Sequence, residues 1–331
     1  MTQFPYLQKA NGSFVDSEVT KVGDIIHAWD GSSIGGIGLI GAPLSKSSIS
    51  HSGACFAPGT IRKALSGFST YSIEEDLDLA NWTIQDLGDI TMHVTDIIQS
   101  QNRVYETVHS LLKENPAWLP IVLGGDNSIT YPTVKGFSEA KGKVGIIQFD
   151  AHHDVRNLID GGPSNGTPFR SLLETETIVG ENLIQVGIRD FSNSKPYHDY
   201  VNKKGVTIYT MKDVRNNKII DIMKESIETL KKQADSIYVS VDMDVIDQSQ
   251  APGCPAIGPG GMNTIDLFEA ITYLGEQSMV EGLEIVEVDP TVDFRDMTSR
   301  VAAHVILNFL KGKQKRIMNE KALKKVKNGG H

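Results

Sequence analysis

The segment VGIIQFDAHHDVRN, residues 144–157, decides how this chain is read. Its first six residues are a short, mostly apolar run of the kind that forms a strand buried on both faces of a parallel sheet. The next five carry two carboxylates and two imidazoles. Asp150, His152 and Asp154 are spaced by two, and side chains at that spacing point to one side of an extended chain. Three ligand types therefore converge where the strand ends. His153 has the opposite parity and is assigned to packing or to support behind the ligands.

Six further runs repeat the apolar pattern: Ile37 to Gly41, Leu119 to Leu123, Leu183 to Gly187, Val206 to Tyr209, Ile237 to Val241 and Leu283 to Val288. Between them lie stretches with helical spacing, such as Thr95 to Glu114 and Ile219 to Gln233. This alternation implies an α/β fold, a mostly parallel sheet covered on both faces. Ligands in such sheets sit beyond the carboxyl ends of the strands. The residues just after the runs are unusually polar: GGDNS after Leu123, DAHHDVRN after Phe149, IRDFSN after Gly187, DMDVID after Val241 and EVDP after Val286.

Asp242 and Asp244 repeat the spacing of two at the end of a second strand. One Asp-x-Asp pair alone is as well explained by a helix cap, but two such clusters plus His152 are not. If the two strand ends are neighbours, four carboxylates share one pocket, and each close pair repels by ~1–4 kcal/mol. Two divalent cations balance them and leave room for a bridging hydroxide, the nucleophile such a pair generates near neutral pH. Oxygen-rich ligation with one imidazole suits Mn²⁺ better than an all-oxygen Ca²⁺ or Mg²⁺ site or a Cys-rich zinc site.

Composition is that of an ordinary globular protein, with 40% hydrophobic and 22% charged residues. No repeat or Pro/Gly/Ser linker divides the 331 residues, so one domain is expected, ending in a basic C-terminal tail at 312–331. From Lys311 to His331 there are eight Lys/Arg and one Glu, read as a solvated helix end. The net charge of −9 disfavours nucleic acid as a partner. The opening MTQFPYLQKANGSF lacks an export signal, no apolar run is long enough to span a membrane, and two cysteines, Cys55 and Cys254, make no disulfide framework. A cytoplasmic protein without membrane partners is expected.

The chain resembles the ureohydrolases, the arginase and agmatinase group, over almost its whole length. The resemblance is carried by GAPLSKSSISHSGACFAPGTIR, GGDNS, FDAHHD, SVDMDVIDQSQAPGCP and EIVEVDP, in that order. It implies a three-layer α/β/α fold with a mainly parallel sheet of about eight strands, two Mn²⁺ per subunit, and a homo-oligomer, either trimer or hexamer. Asp150 and Asp242 then look like bridging ligands, Asp154 serves the first metal, and His152 and Asp244 serve the second. Glu287 matches the carboxylate that holds a cationic amidine or guanidine. Within the group, the pattern is most similar to enzymes of histidine degradation that split N-formimidoyl-L-glutamate into formamide and L-glutamate. Agmatine or another guanidino compound is the alternative substrate.

Two departures from the family pattern matter. Asn127, in GGDNS, stands where a histidine normally binds the first metal, so a weaker first seat is expected. Asn165, in NGTPF, stands where relatives carry a proton-shuttling histidine, and an amide cannot shuttle a proton; it is assigned to substrate binding. Asp154 is expected to orient the nucleophile, and Arg156 and Arg189 to receive the carboxylates of a dicarboxylate substrate. A metal-dependent phosphoesterase would want a basic cradle, and Glu287 would repel its substrate. A non-catalytic sensor would not need Glu287.

Overall fold

The computed structural model describes residues 15–328. Its strands are β1 (Ile26–Ala28), β2 (Ile37–Ala42), β3 (Tyr71–Ser72), β4 (Leu77–Asp78), β5 (Ile84–Asp89), β6 (Leu119–Gly124), β7 (Val144–Phe149), β8 (Leu183–Ile188), β9 (Thr207–Thr210), β10 (Ser236–Asp242) and β11 (Val280–Val286). Nine of them form one sheet in the order β1-β5-β2-β6-β11-β10-β7-β8-β9, while β3 and β4 make a separate antiparallel ribbon. Every neighbouring pair in the large sheet is parallel. All seven apolar runs are strands of it. The two strands not anticipated, β1 and β5, are short or half-exposed, and Asp86, Gly88 and Asp89 break any apolar run in β5.

The helices are α1 (Val22–Ile25), α2 (Ala57–Ser66), α3 (Ile97–Glu114), α4 (Thr130–Lys141), α5 (Pro168–Glu174), α6 (Lys195–Lys204), α7 (Met211–Asn216), α8 (Ile219–Leu230), α9 (Thr264–Glu276) and α10 (Met297–Asn328). Alternate strand residues feed two separate cores, because side chains on a strand point to opposite faces. Leu39, Ile121, Leu123, Ile147 and Phe149 pack with Ile61, Ile222, Leu267 and Ile306 of α2, α8, α9 and α10. Ile40, Val122, Ile146 and Tyr238 pack with Val104, Val134, Phe169 and Val201 of α3, α4, α5 and α6. The result is a three-layer α/β/α fold.

The basic stretch expected as a tail from residue 312 begins inside the packed part of α10. A Cβ on Gly312 would lie 2.1 Å from the Thr272 carbonyl oxygen, so only glycine lets α10 cross α9 this closely. Lys313 is buried and donates to the carbonyls of Val280 (2.6 Å) and Gln277 (3.2 Å). Exposure begins at Met318. The opening segment 1–14, the side chains beyond 323 and residues 329–331 lie outside the described residues. Among the described residues no helix is long and apolar enough to cross a membrane.

Candidate metal centre

The two ligand-bearing strands are neighbours: Val241 of β10 pairs with Phe149 of β7. On the other side of β10 lies β11, and beyond it β6. The polar segments that follow β6, β7, β10 and β11 therefore meet at the middle of the sheet's carboxyl edge. In the chain they are far apart: Asn127 and Glu287 are 160 positions apart.

Local hydrogen bonds set the carboxylates. Asp150 is fully buried; its Oδ1 accepts from the His152 backbone N–H (2.6 Å) and its Oδ2 from Gln148 Nε2 (2.7 Å). Asp242 caps the turn Met243–Val245 by accepting from the Asp244 N–H (2.9 Å), and Asp244 accepts from the Ala151 N–H (3.1 Å). His152 Nδ1 lies 2.9 Å from Asp244 Oδ2. Asp154 and Glu287 both adopt left-handed backbone, with φ of 49° and 63°. Non-glycine residues pay for that conformation and keep it chiefly where function fixes it.

Two groups of three potential ligands result: Asp150, His152 and Asp244, and Asp150, Asp154 and Asp242. Within each group the ligand atoms lie within 4.8 Å of one another. Asp150 belongs to both. Two triads sharing a buried carboxylate, with four carboxylates and one imidazole in all, are a donor set that suits a pair of divalent cations.

Asn127 sits over the second of these groups. Its Nδ2 lies 2.7 Å from Asp154 Oδ2 and 3.3 Å from both Asp150 Oδ2 and Asp242 Oδ2. Its backbone N–H donates to Glu287 Oε1 (2.7 Å), and the Asn165 amide donates to the same oxygen (3.1 Å). Glu287 is thus fixed through one oxygen. Asn165 is held in turn by the Ile49 N–H. The loop that carries Ile49 can approach because Gly125 has no side chain: a Cβ there would lie 1.8 Å from the Leu44 carbonyl oxygen.

The two arginines separate. Arg189 is buried, donates to the Gly258 carbonyl (3.2 Å) and adds positive charge near Asp244. Arg156 is exposed and lies across Gly166, next to Asn165. No ion pair joins either arginine to an acidic residue among the described residues.

Several polar residues of the site were not anticipated. Gln148, which holds Asp150, accepts from Gln185 Nε2 (2.7 Å), and Gln185 accepts from His153 Nδ1 (2.7 Å). His153 Nε2 reaches His198 Nδ1 at 3.1 Å. Because an amide oxygen only accepts, this chain fixes His153 with its proton on Nδ1. Asp126 is buried against Ser47 and Ser128. The signal for Gln148 and Gln185 was present as polar letters inside strands that are otherwise apolar.

Electrostatics without a cation are adverse. Burial, and then the charge of Asp244, push Asp150 up to about 6. Burial also raises Asp154 and Asp242 well above the ordinary carboxylate value. Glu287 goes up to about 8, through burial and then Asp126. For His152, burial opposes the charged form, but Asp244 and Asp150 outweigh it and push it up to about 12. Asp244 alone moves down, as the His152 imidazole overcomes the cost of burial.

Raised carboxyl groups bind protons more tightly folded than unfolded, so their contribution is complete near pH 4 and is lost as pH rises through about 6 to 8. His152 acts in the same direction over a higher range, and Asp244 opposes only at acid pH. The melting temperature of chelator-treated protein is therefore expected to fall between about pH 5 and pH 8. A divalent cation held by these groups would compete with those protons and should raise it more at pH 8 than at pH 5.5. A melting temperature flat in pH without metal would contradict this.

A model of the Arginase family matches residues 36–311. The formimidoylglutamase of Halalkalibacterium halodurans is 64% identical over 313 residues, 95% of this chain and 98% of that one. The crystal structure of formimidoylglutamase from Bacillus subtilis superposes with a TM-score of 0.92 at 56% identity, covering 94% of this chain and 97% of that one. The formiminoglutamase of Trypanosoma cruzi, solved with Mn²⁺, shares the fold at 23% identity and a TM-score of 0.82, covering 90% of this chain and 99% of that one.

Proposed function

The chain belongs to the arginase family, and on that premise we propose that it hydrolyses N-formimidoyl-L-glutamate to formamide and L-glutamate, a step in histidine degradation. The observation behind this reading is the pair of ligand triads sharing Asp150 with Glu287 beside them. We assign the triads to two Mn²⁺ ions, which would be held by Asp150, Asp154 and Asp242 with Asn127, and by Asp150, Asp242, His152 and Asp244. When bound, the ions supply the acidity that makes water a nucleophile at neutral pH.

The protein's own groups do the rest. Glu287, already fixed through Oε1, pairs with the amidinium N–H groups of the substrate by charge-assisted hydrogen bonds and keeps the reacting carbon electron-poor. The incoming positive charge favours the ionised carboxylate that burial opposes. Asp154 orients the nucleophile and carries its proton to the departing nitrogen. Asn165 holds Glu287 and lines the substrate's path.

Arg156 and Arg189 receive the two substrate carboxylates. Arg156 gives the cleaner test, since Arg189 also supports the Gly258 loop. Arg156→Ala is expected to raise KM for formimidoylglutamate about 10- to 100-fold, the value of one charge-assisted hydrogen bond. Manganese content should stay unchanged. An unaltered KM would remove Arg156 from the substrate site.

The reading as a whole is checked by incubating Mn²⁺-loaded protein with formimidoylglutamate, agmatine, arginine and a phosphodiester, and identifying products. Formamide from the first is the expected result. Urea from agmatine or arginine, with no formamide, would transfer the chain to the guanidino branch.

A further inference from the structure

Thr130, the first residue of α4, is fully buried, and its single hydroxyl touches two acceptors. Thr130 Oγ1 lies 2.5 Å from Asn127 Oδ1 and 2.7 Å from Glu284 Oε1. Glu284, on β11, is itself fully buried and takes a further hydrogen bond from the Tyr238 hydroxyl (3.1 Å). One hydroxyl proton serves one acceptor at a time. In the arrangement seen, the Asn127 amide turns its N–H groups to the three carboxylates and its oxygen to Thr130. Thr130 then gives its proton to Asn127, and contact with Glu284 is favourable only if that carboxyl donates.

Rotating the amide by half a turn exchanges nitrogen and oxygen with little change of shape. The oxygen then faces the first seat, Nδ2 donates to Thr130 Oγ1, and Thr130 donates to an ionised Glu284. Every donor and acceptor in the chain is satisfied. A cation in the seat repels an N–H and attracts a carbonyl oxygen, so it selects this second arrangement.

We propose that Thr130 and Glu284 are positioning residues for the first metal seat, a relay that sets which end of the Asn127 amide is presented there. The proposal rests on the reading of Asn127 as the residue that faces the first ion. Burial pushes Glu284 up to about 7, which is in keeping with a carboxyl that donates in one arrangement and accepts in the other. A threonine with no partner beyond Asn127 would leave the amide free to turn either way; an ionised Glu284 behind it, which can only accept, takes the Thr130 proton and so favours the arrangement with the amide oxygen toward the seat. Supporting groups of this kind commonly govern metal affinity as strongly as the ligands themselves.

The test is calorimetric Mn²⁺ titration of the whole chain. Thr130→Val keeps the shape and removes the hydroxyl; it is expected to weaken the lower-affinity site about 10-fold or more and to leave the tighter site alone. Thr130→Ser restores the hydroxyl and should restore the affinity, which a purely packing role would not do. In an Asn127→His background, where the lower-affinity site should be tighter, Thr130→Val should have far less effect. Unchanged affinity in Thr130→Val, when Asn127→Ala does weaken the site, would overturn the relay alone. Unchanged affinity in Asn127→Ala would overturn the relay together with the role of Asn127 beneath it.

Discussion

Asp150→Asn is expected to abolish manganese binding at both seats and to lower formamide release by at least about four orders of magnitude. The side chain belongs to both ligand triads, so a single change of charge is felt twice. Its shape is preserved: the new amide oxygen can still accept from the His152 N–H, and the new NH2 group, where Gln148 Nε2 now donates, can be met if the Gln148 amide turns its oxygen toward it. The fold should therefore survive. Asp244→Asn gives the contrast: it belongs to one triad only, so about one ion per chain should remain. Metal counting on desalted protein decides between them. Retention of two ions in Asp150→Asn would show that the residue is not shared.

Glu287→Gln should lower kcat/KM for formimidoylglutamate by about 10²- to 10³-fold, because removing one partner of a buried charge pair costs roughly 2–5 kcal/mol. Mn²⁺ binding should persist, since Glu287 is in neither triad. The glutamine can still accept from the Asn127 N–H and the Asn165 amide, so the backbone around it stays in place. Steady-state kinetics beside metal titration separate the two effects. Loss of manganese together with activity would make Glu287 a ligand instead of the group that receives the amidinium.

What could be read from the sequence follows from geometry that repeats every two residues. Asp150, His152 and Asp154 are legible because a strand carries them past its end on one side, and Asp242 with Asp244 because the same device recurs. Six inner strands, β2, β6, β11, β10, β7 and β8, are legible because parallel strands buried on both faces are continuous apolar runs, and β9, at the other edge and half-buried, is legible from its shorter run Val206 to Tyr209. β1, at the edge of the sheet, and β5 beside it escape that signal by being short or half-wet.

The relay is harder. Thr130 and Glu284 are separated by 154 residues, and only the register of β11 beside β6 and β10 brings the carboxylate beneath α4. A sign of it was nonetheless present. Glu284 lies inside a run that is otherwise apolar, and a charge in a doubly buried strand must have partners. Gln148 and Gln185 sent the same message from β7 and β8. Asn127 was legible as a departure from the family's histidine, but the orientation of its amide depends on groups that the motif does not contain.

The strand order has a consequence in time. At the centre of the sheet, β10 and β11 from the last third of the chain are inserted between β6 and β7 from its middle. A growing polypeptide that has made β7 holds Asp150, His152 and Asp154 but cannot close either seat, because Asp242 and Asp244 follow some ninety residues later. Loop closure over such distances is slow and must precede any reward from the contacts it makes. Manganese held by these residues would therefore be a late arrival that can reward only a finished sheet. Its uptake during synthesis or refolding would be a clock for the last strand insertion.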